Sequence, residues 1–66
     1  MTERGFWRHT ESGRVWAVEI EKGQPVKCCG PLDASDADEA LLPYLDYSTK
    51  DLPLIRAEWS SYSPLK

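Results

Sequence analysis

Residues 5–22 read GFWRHTESGRVWAVEIEK, and this stretch decides the fold. Two runs rich in β-branched and aromatic residues, 6–10 and 14–22, flank Glu11-Ser12-Gly13. Such a pattern predicts a β-hairpin. It holds Trp7 and Trp16, two of the three tryptophans of the chain. A three-residue loop closed by glycine suits a type I turn with Gly13 in the left-handed conformation. In that register Thr10 faces Arg14, Arg8 faces Trp16 and Phe6 faces Val18. One sheet face then carries Phe6, Arg8, Trp16, Val18 and Ile20. The other carries Trp7, His9, Val15, Ala17 and Glu19. A slip of one residue would set Trp7 opposite Trp16 and exchange the faces; the turn chemistry favours the first arrangement.

Outward from the hairpin, Lys22-Gly23-Gln24 is a second turn signal. Pro25 follows it and suits the first position of a strand. Val26 to Cys29 forms a short third strand, ended by Gly30-Pro31. The expected sheet is thus a three-stranded antiparallel meander, too thin to be stable without a helical cover. The cover comes next. Asp33 and Ser35 are good helix N-caps, and the acids that follow complement the positive end of a helix dipole. Pro43 stops that helix near Leu42 or forces a restart through Tyr47. Beyond Asp51, residues Leu52, Ile55, Trp59 and Tyr62 form a helical stripe, while Ile55, Ala57 and Trp59 also alternate as in a strand. Helix is the favoured reading, ended by Ser63-Pro64. The chain of 66 residues is read as one small α+β domain, a three-stranded meander with one or two short helices on one sheet face.

The hairpin resembles the WW domain in several residues. Trp7 is an early tryptophan, the turn precedes Gly13-Arg14, the second strand is aromatic at Trp16, and Pro31 follows the third strand. The likeness covers about half of the chain. Cys28 stands near the place of that family's second tryptophan, the second-strand Asn-His pair is absent, and the helical half has no counterpart. What the resemblance implies is a shared meander topology rather than membership.

Charge excludes some functions. The net charge is −3, with +1 over residues 1–27, −5 over 28–52 and +1 over 53–66. There is no basic stripe of the kind that a phosphate backbone requires, so nucleic acid is not an expected partner. No apolar run has the length of a membrane span, and MTERGFW does not resemble a signal peptide, so the expectation is a cytoplasmic protein without a membrane partner.

The candidates for chemistry are few. Cys28, Cys29 and His9 are the soft-metal ligands available. A structural zinc site needs four ligands with spaced cysteines, and adjacent strand residues point to opposite faces. The expectation is no cofactor, with one cysteine packed in the core. A thiol or zinc-dependent module, including zinc shared between two chains, is the alternative. Asp33, Asp36, Asp38 and Glu39 lack the alternation and central glycine of a calcium loop and read as solvated acids at a helix start. His9 has no nucleophile motif beside it, and the chain is expected not to be an enzyme. Aromatic residues remain. A helix layer covers one face of a sheet, which leaves Trp7, His9, Val15 and Ala17 on the other, with Lys27 or Cys29 at its margin. Arg8 stacks on Trp16 in the favoured register. The functional expectation is therefore a protein-interaction module that takes a protein or peptide partner through Trp7, His9, Arg8, Trp16 and Val15. A homodimer that hides this face against its own copy is a further alternative.

Overall fold

The computed structural model describes residues 2–65. Strands β1 (Thr2–His9), β2 (Val15–Glu21) and β3 (Gln24–Leu32) run antiparallel. A short helix α1 (Leu52–Ala57) follows, then strand β4 (Tyr62–Pro64). Short 3₁₀ helices cover Ala34–Asp36, Glu39–Tyr44 and Trp59–Ser61. The sheet order is β3-β2-β1-β4, an antiparallel sheet of four strands in an α+β-like fold. The fourth strand corrects the expected three. Tyr62 to Pro64 are extended and pair with Trp7 to His9, after the helical stripe has run out at Ala57. The helical reading holds for Leu52 and Ile55 but not as far as Tyr62, and the residues of the strand alternation, Ile55, Ala57 and Trp59, lie in α1 and the 3₁₀ helix after it rather than in β4.

The hairpin register also differs from the favoured one. Trp7 faces Trp16 and Arg8 faces Val15. The loop holds four residues, Thr10 to Gly13. The His9 N–H donates to the Arg14 carbonyl (2.9 Å), and the Gly13 N–H donates to the His9 carbonyl (2.8 Å). Gly13 does take a left-handed conformation, with φ 75°. What moves is where the pairing begins. The favoured register would bury the Arg8 guanidinium beside Trp16 and Val18, and burying an unpaired charge is costly. With the register observed, Arg8 is exposed and both faces collect apolar side chains. The expected stacking of Arg8 on Trp16 does not occur, and the Arg4 guanidinium instead lies 5.5 Å from the centre of the Tyr47 ring.

Each face has its own cover. Trp16, Val18 and Cys28 pack with Ile55 of α1 and Tyr62 of β4, with Trp7, Ile20 and Trp59 at the margin. On the opposite face Phe6, Val15 and Ala17 pack against Cys29, Leu32 and the segment that carries Ala37, Leu42, Leu45 and Tyr47. The expectation of helices on one face is therefore corrected: α1 takes one side and the chain from Ala37 to Tyr47 takes the other. The expected acidic helix does not form. Pro43 removes an N–H from the segment, and two short 3₁₀ helices are made instead, with Asp38 Oδ1 accepting from the Ala40 N–H (3.0 Å). The Tyr47 hydroxyl donates to the Leu42 carbonyl (2.7 Å) and ties this irregular cover down. No helix among the described residues is long and apolar enough to cross a membrane.

Candidate functional site

His9 ends β1 and is the one buried polar residue among those described, with 8% of its surface exposed. Three elements meet on its ring. The hairpin loop brings Ser12, whose backbone N–H donates to Nδ1 (3.1 Å) and whose Oγ also lies 3.1 Å from Nδ1. The residue after α1 brings Glu58, whose Oε1 is 3.1 Å from Nε2. From β4 comes Tyr62, its ring edge-on at a centroid distance of 5.0 Å. A backbone N–H can only donate, so Nδ1 is the acceptor and the ring proton sits on Nε2, which donates to Glu58. The loop is fastened from the other side as well, because the Thr10 N–H and Oγ1–H both donate to the Ser61 carbonyl (2.9 and 3.0 Å).

A half-open cleft of about 160 Å³ lies beside this cluster. Trp16 and Tyr62 form its apolar floor, Ser12 and Arg14 one wall, Leu54 and Glu58 the other. Leu54 is 53% exposed at the rim. Arg14 makes no salt bridge among the described residues. Ser12, His9 and Glu58 stand in the order of nucleophile, base and orienting carboxylate. Yet Nδ1 has a single lone pair, and the Ser12 N–H already uses it; the Arg14 N–H further donates to Ser12 Oγ (3.3 Å). The arrangement braces the loop.

The sequence candidates separate in the structure. His9 and Trp16 meet in the cleft. Val15 and Ala17, expected on an open face with Trp7 and His9, are buried under the Leu42–Tyr47 cover, because the register places them opposite to Trp7. Trp7 is half-buried against Trp59 (centroids 4.6 Å apart), which in turn stacks on Tyr62 (5.7 Å). Arg8 is exposed beyond Phe6 on the other face. Cys28 packs under α1 and Cys29 beneath the opposite cover, so the two thiols do not converge. Among the described residues, no three potential ligands are grouped around a point. Ser12, Arg14, Leu54, Glu58 and Tyr62 belong to the site although sequence reasoning did not select them. Ser12 was legible as a turn residue, but Glu58 lies 49 positions from His9 and no local pattern links them.

Burial holds several groups neutral. It pushes the Cys28 thiol above its ordinary value of 9.0, helped by the charge of Asp51. It pushes the Tyr62 phenol above 10.0, helped by Glu58, and does the same for Tyr47, where Arg4 acts in the opposite direction. The unfolded chain releases these protons at the ordinary values, while the fold retains them. Stability from these groups is therefore complete well below pH 9.0 and declines as pH rises from 9.0 for Cys28 and from 10.0 for the tyrosines up through their raised values in the fold. Thermal unfolding followed between neutral and strongly alkaline pH is expected to show a falling Tm over that window. A Tm that stays level there would contradict the burial of these side chains.

No family model matches the chain, and neither a curated protein nor a solved structure is found similar to it.

Proposed function

We propose that this protein is a small interaction module that receives a side chain of a protein or peptide partner in the cleft between the hairpin tip and α1. The supporting observation is Leu54, an exposed leucine beside an apolar floor whose tryptophan, Trp16, is only 3% exposed. Sites for whole small molecules usually enclose about 300–1,000 Å³. A cleft of about 160 Å³ is below that range and suits one anchoring side chain. Arg14 at the rim adds a charge for orientation. This reading keeps His9 and Trp16 of the expected site and replaces the open sheet face by a cleft. The thiol or zinc reading loses support because Cys28 and Cys29 diverge, and the face that a homodimer was to hide is divided, with Trp7 beside the cluster under α1 and Val15 and Ala17 under the opposite cover. Two free cysteines fit a reducing compartment such as the cytoplasm.

A second surface has its own observation. Tyr44 is 82% exposed and Leu41 45%, amid Asp38, Glu39 and Asp46. A basic partner is the complement of that patch. Affinity capture from native lysate with wild type, Leu54→Asp and Tyr44→Ala in parallel separates the two. An anchor at the centre of an interface contributes roughly 2 kcal/mol or more, so Leu54→Asp is expected to weaken the captured partner at least about thirtyfold at unchanged Tm. Undiminished capture by Leu54→Asp, with loss in Tyr44→Ala, would move the site to the acidic patch.

A further inference from the structure

We infer that His9 is a proton-operated latch on the cleft, releasing the wall made by Ser12 and Arg14 when its ring takes a second proton. Histidine is the side chain that ordinarily changes charge between about pH 5 and 8. The two sides of this ring respond differently. On the Nε2 side, protonation leaves the N–H donating to the Glu58 carboxylate and turns that charge-assisted bond into an ion pair, so the wall beyond α1 is held more firmly. On the Nδ1 side, protonation replaces an acceptor by a donor. The Ser12 N–H then points at another N–H, and its hydrogen bond is lost. Ser12 Oγ, 3.1 Å from Nδ1, is placed to accept from the new N–H, so the contact with Ser12 passes from its main chain to its side chain and the main-chain N–H is set free.

The charged and titratable groups facing the ring come from every element around it. Glu58, after α1, sets its carboxylate 3.1 Å from Nε2. Arg14 enters the same cleft from the hairpin. Tyr62 of β4 stays a neutral phenol. Ser12 is the only one of these neighbours whose main chain depends on the unprotonated nitrogen. It is also a cleft wall, so the proton acts on the shape of the proposed binding site. The functional meaning of the latch rests on the cleft being that site.

The test is made on the intact ¹⁵N-labelled protein, titrated between about pH 5 and 8. The Ser12 amide resonance is expected to move with the His9 ring. Its hydrogen-exchange protection, corrected for intrinsic rate, is expected to fall about five- to tenfold on protonation, the equivalent of one hydrogen bond. The Gly13 amide, held by the His9 carbonyl, keeps its protection. Ser12→Ala retains the amide and so retains the response. Glu58→Gln keeps an acceptor for Nε2 and so also retains the Ser12 response. A Ser12 amide whose protection is constant while the ring titrates would overturn the latch, as would a ring that does not titrate in this range. None of these readings involves a partner, so failure of the latch and failure of the cleft as a binding surface, read from Leu54→Asp, appear separately.

Discussion

Replacing Ile55 by alanine is expected to lower the Tm by about 12–24 °C, which corresponds to a loss of about 3 kcal/mol in a domain of this length. Ile55 is fully buried, with 0% exposure, and it is the residue through which α1 joins Trp16, Val18, Cys28 and Tyr62. Truncation removes three carbons from the middle of that cluster. The sheet beneath is rigid and α1 has only six residues, so the gap does not close by collapse. For 66 residues a total stability of roughly 3–10 kcal/mol is ordinary, so this one change takes a large share of it. Thermal unfolding followed by far-ultraviolet circular dichroism measures the loss. An Ile55→Ala protein with the wild-type Tm would mean that α1 does not dock on this face. Leu54→Asp, one residue earlier, is the internal contrast, because its side chain faces solvent at the cleft rim.

The second large effect is expected at Gly30. A Cβ built there would stand 2.9 Å from Trp16 Cε3, 3.2 Å from Cδ2 and 3.3 Å from the Val15 carbonyl oxygen. The backbone of Gly30 also has φ +154°, a conformation that side-chain-bearing residues seldom adopt. Trp16 is only 3% exposed and packs with Val18, Cys28, Ile55 and Tyr62, so its ring has little room to move aside. Overpacking and backbone strain together give Gly30→Ala an expected cost of about 2–4 kcal/mol, visible as a lower midpoint in urea with an unchanged slope. Gly13→Ala is the control that separates the two causes. Gly13 also has positive φ, +75°, but nothing lies within 4 Å of the added carbon. It is expected to cost only the conformational part, about 1–2 kcal/mol. Equal losses at the two positions would show that the contact with Trp16 carries no penalty.

These two residues show why only part of the architecture was legible. The hairpin, the turn at Lys22-Gly23 and a third strand near Pro25 follow from local chemistry: β-branched and aromatic runs, and glycine where φ is positive; that strand is longer than the expected Val26 to Cys29, since it starts at Gln24 and continues through Gly30-Pro31 to Leu32. The helix before the tail is legible in the stripe through Leu52 and Ile55. Local chemistry also carries a wrong preference. The Glu11-Ser12-Gly13 signal suits a loop of three residues, and the loop has four, because one added residue lifts Arg8 out of the core. That choice is made by the other side of the sheet. It needs Phe6, Val15 and Ala17 to meet Leu42, Leu45 and Tyr47, which are distant in the chain.

The candidate site divides in the same way. His9 and Trp16 stand out by residue type, and the cleft contains both. Val15 is no surface residue, and Trp7 is engaged with Trp59. Glu58, Leu54 and Tyr62 come to His9 only when α1 crosses the sheet and β4 adds to its edge. The sequence by itself determined the hairpin, its glycine turns and the separation of the two thiols, because strand alternation and positive φ are properties of neighbouring residues. Tertiary structure alone decided the register, the second cover and the surroundings of His9. Burying a charge or freeing it depends on which distant side chains share a face, and a one-residue shift exchanges every one of them.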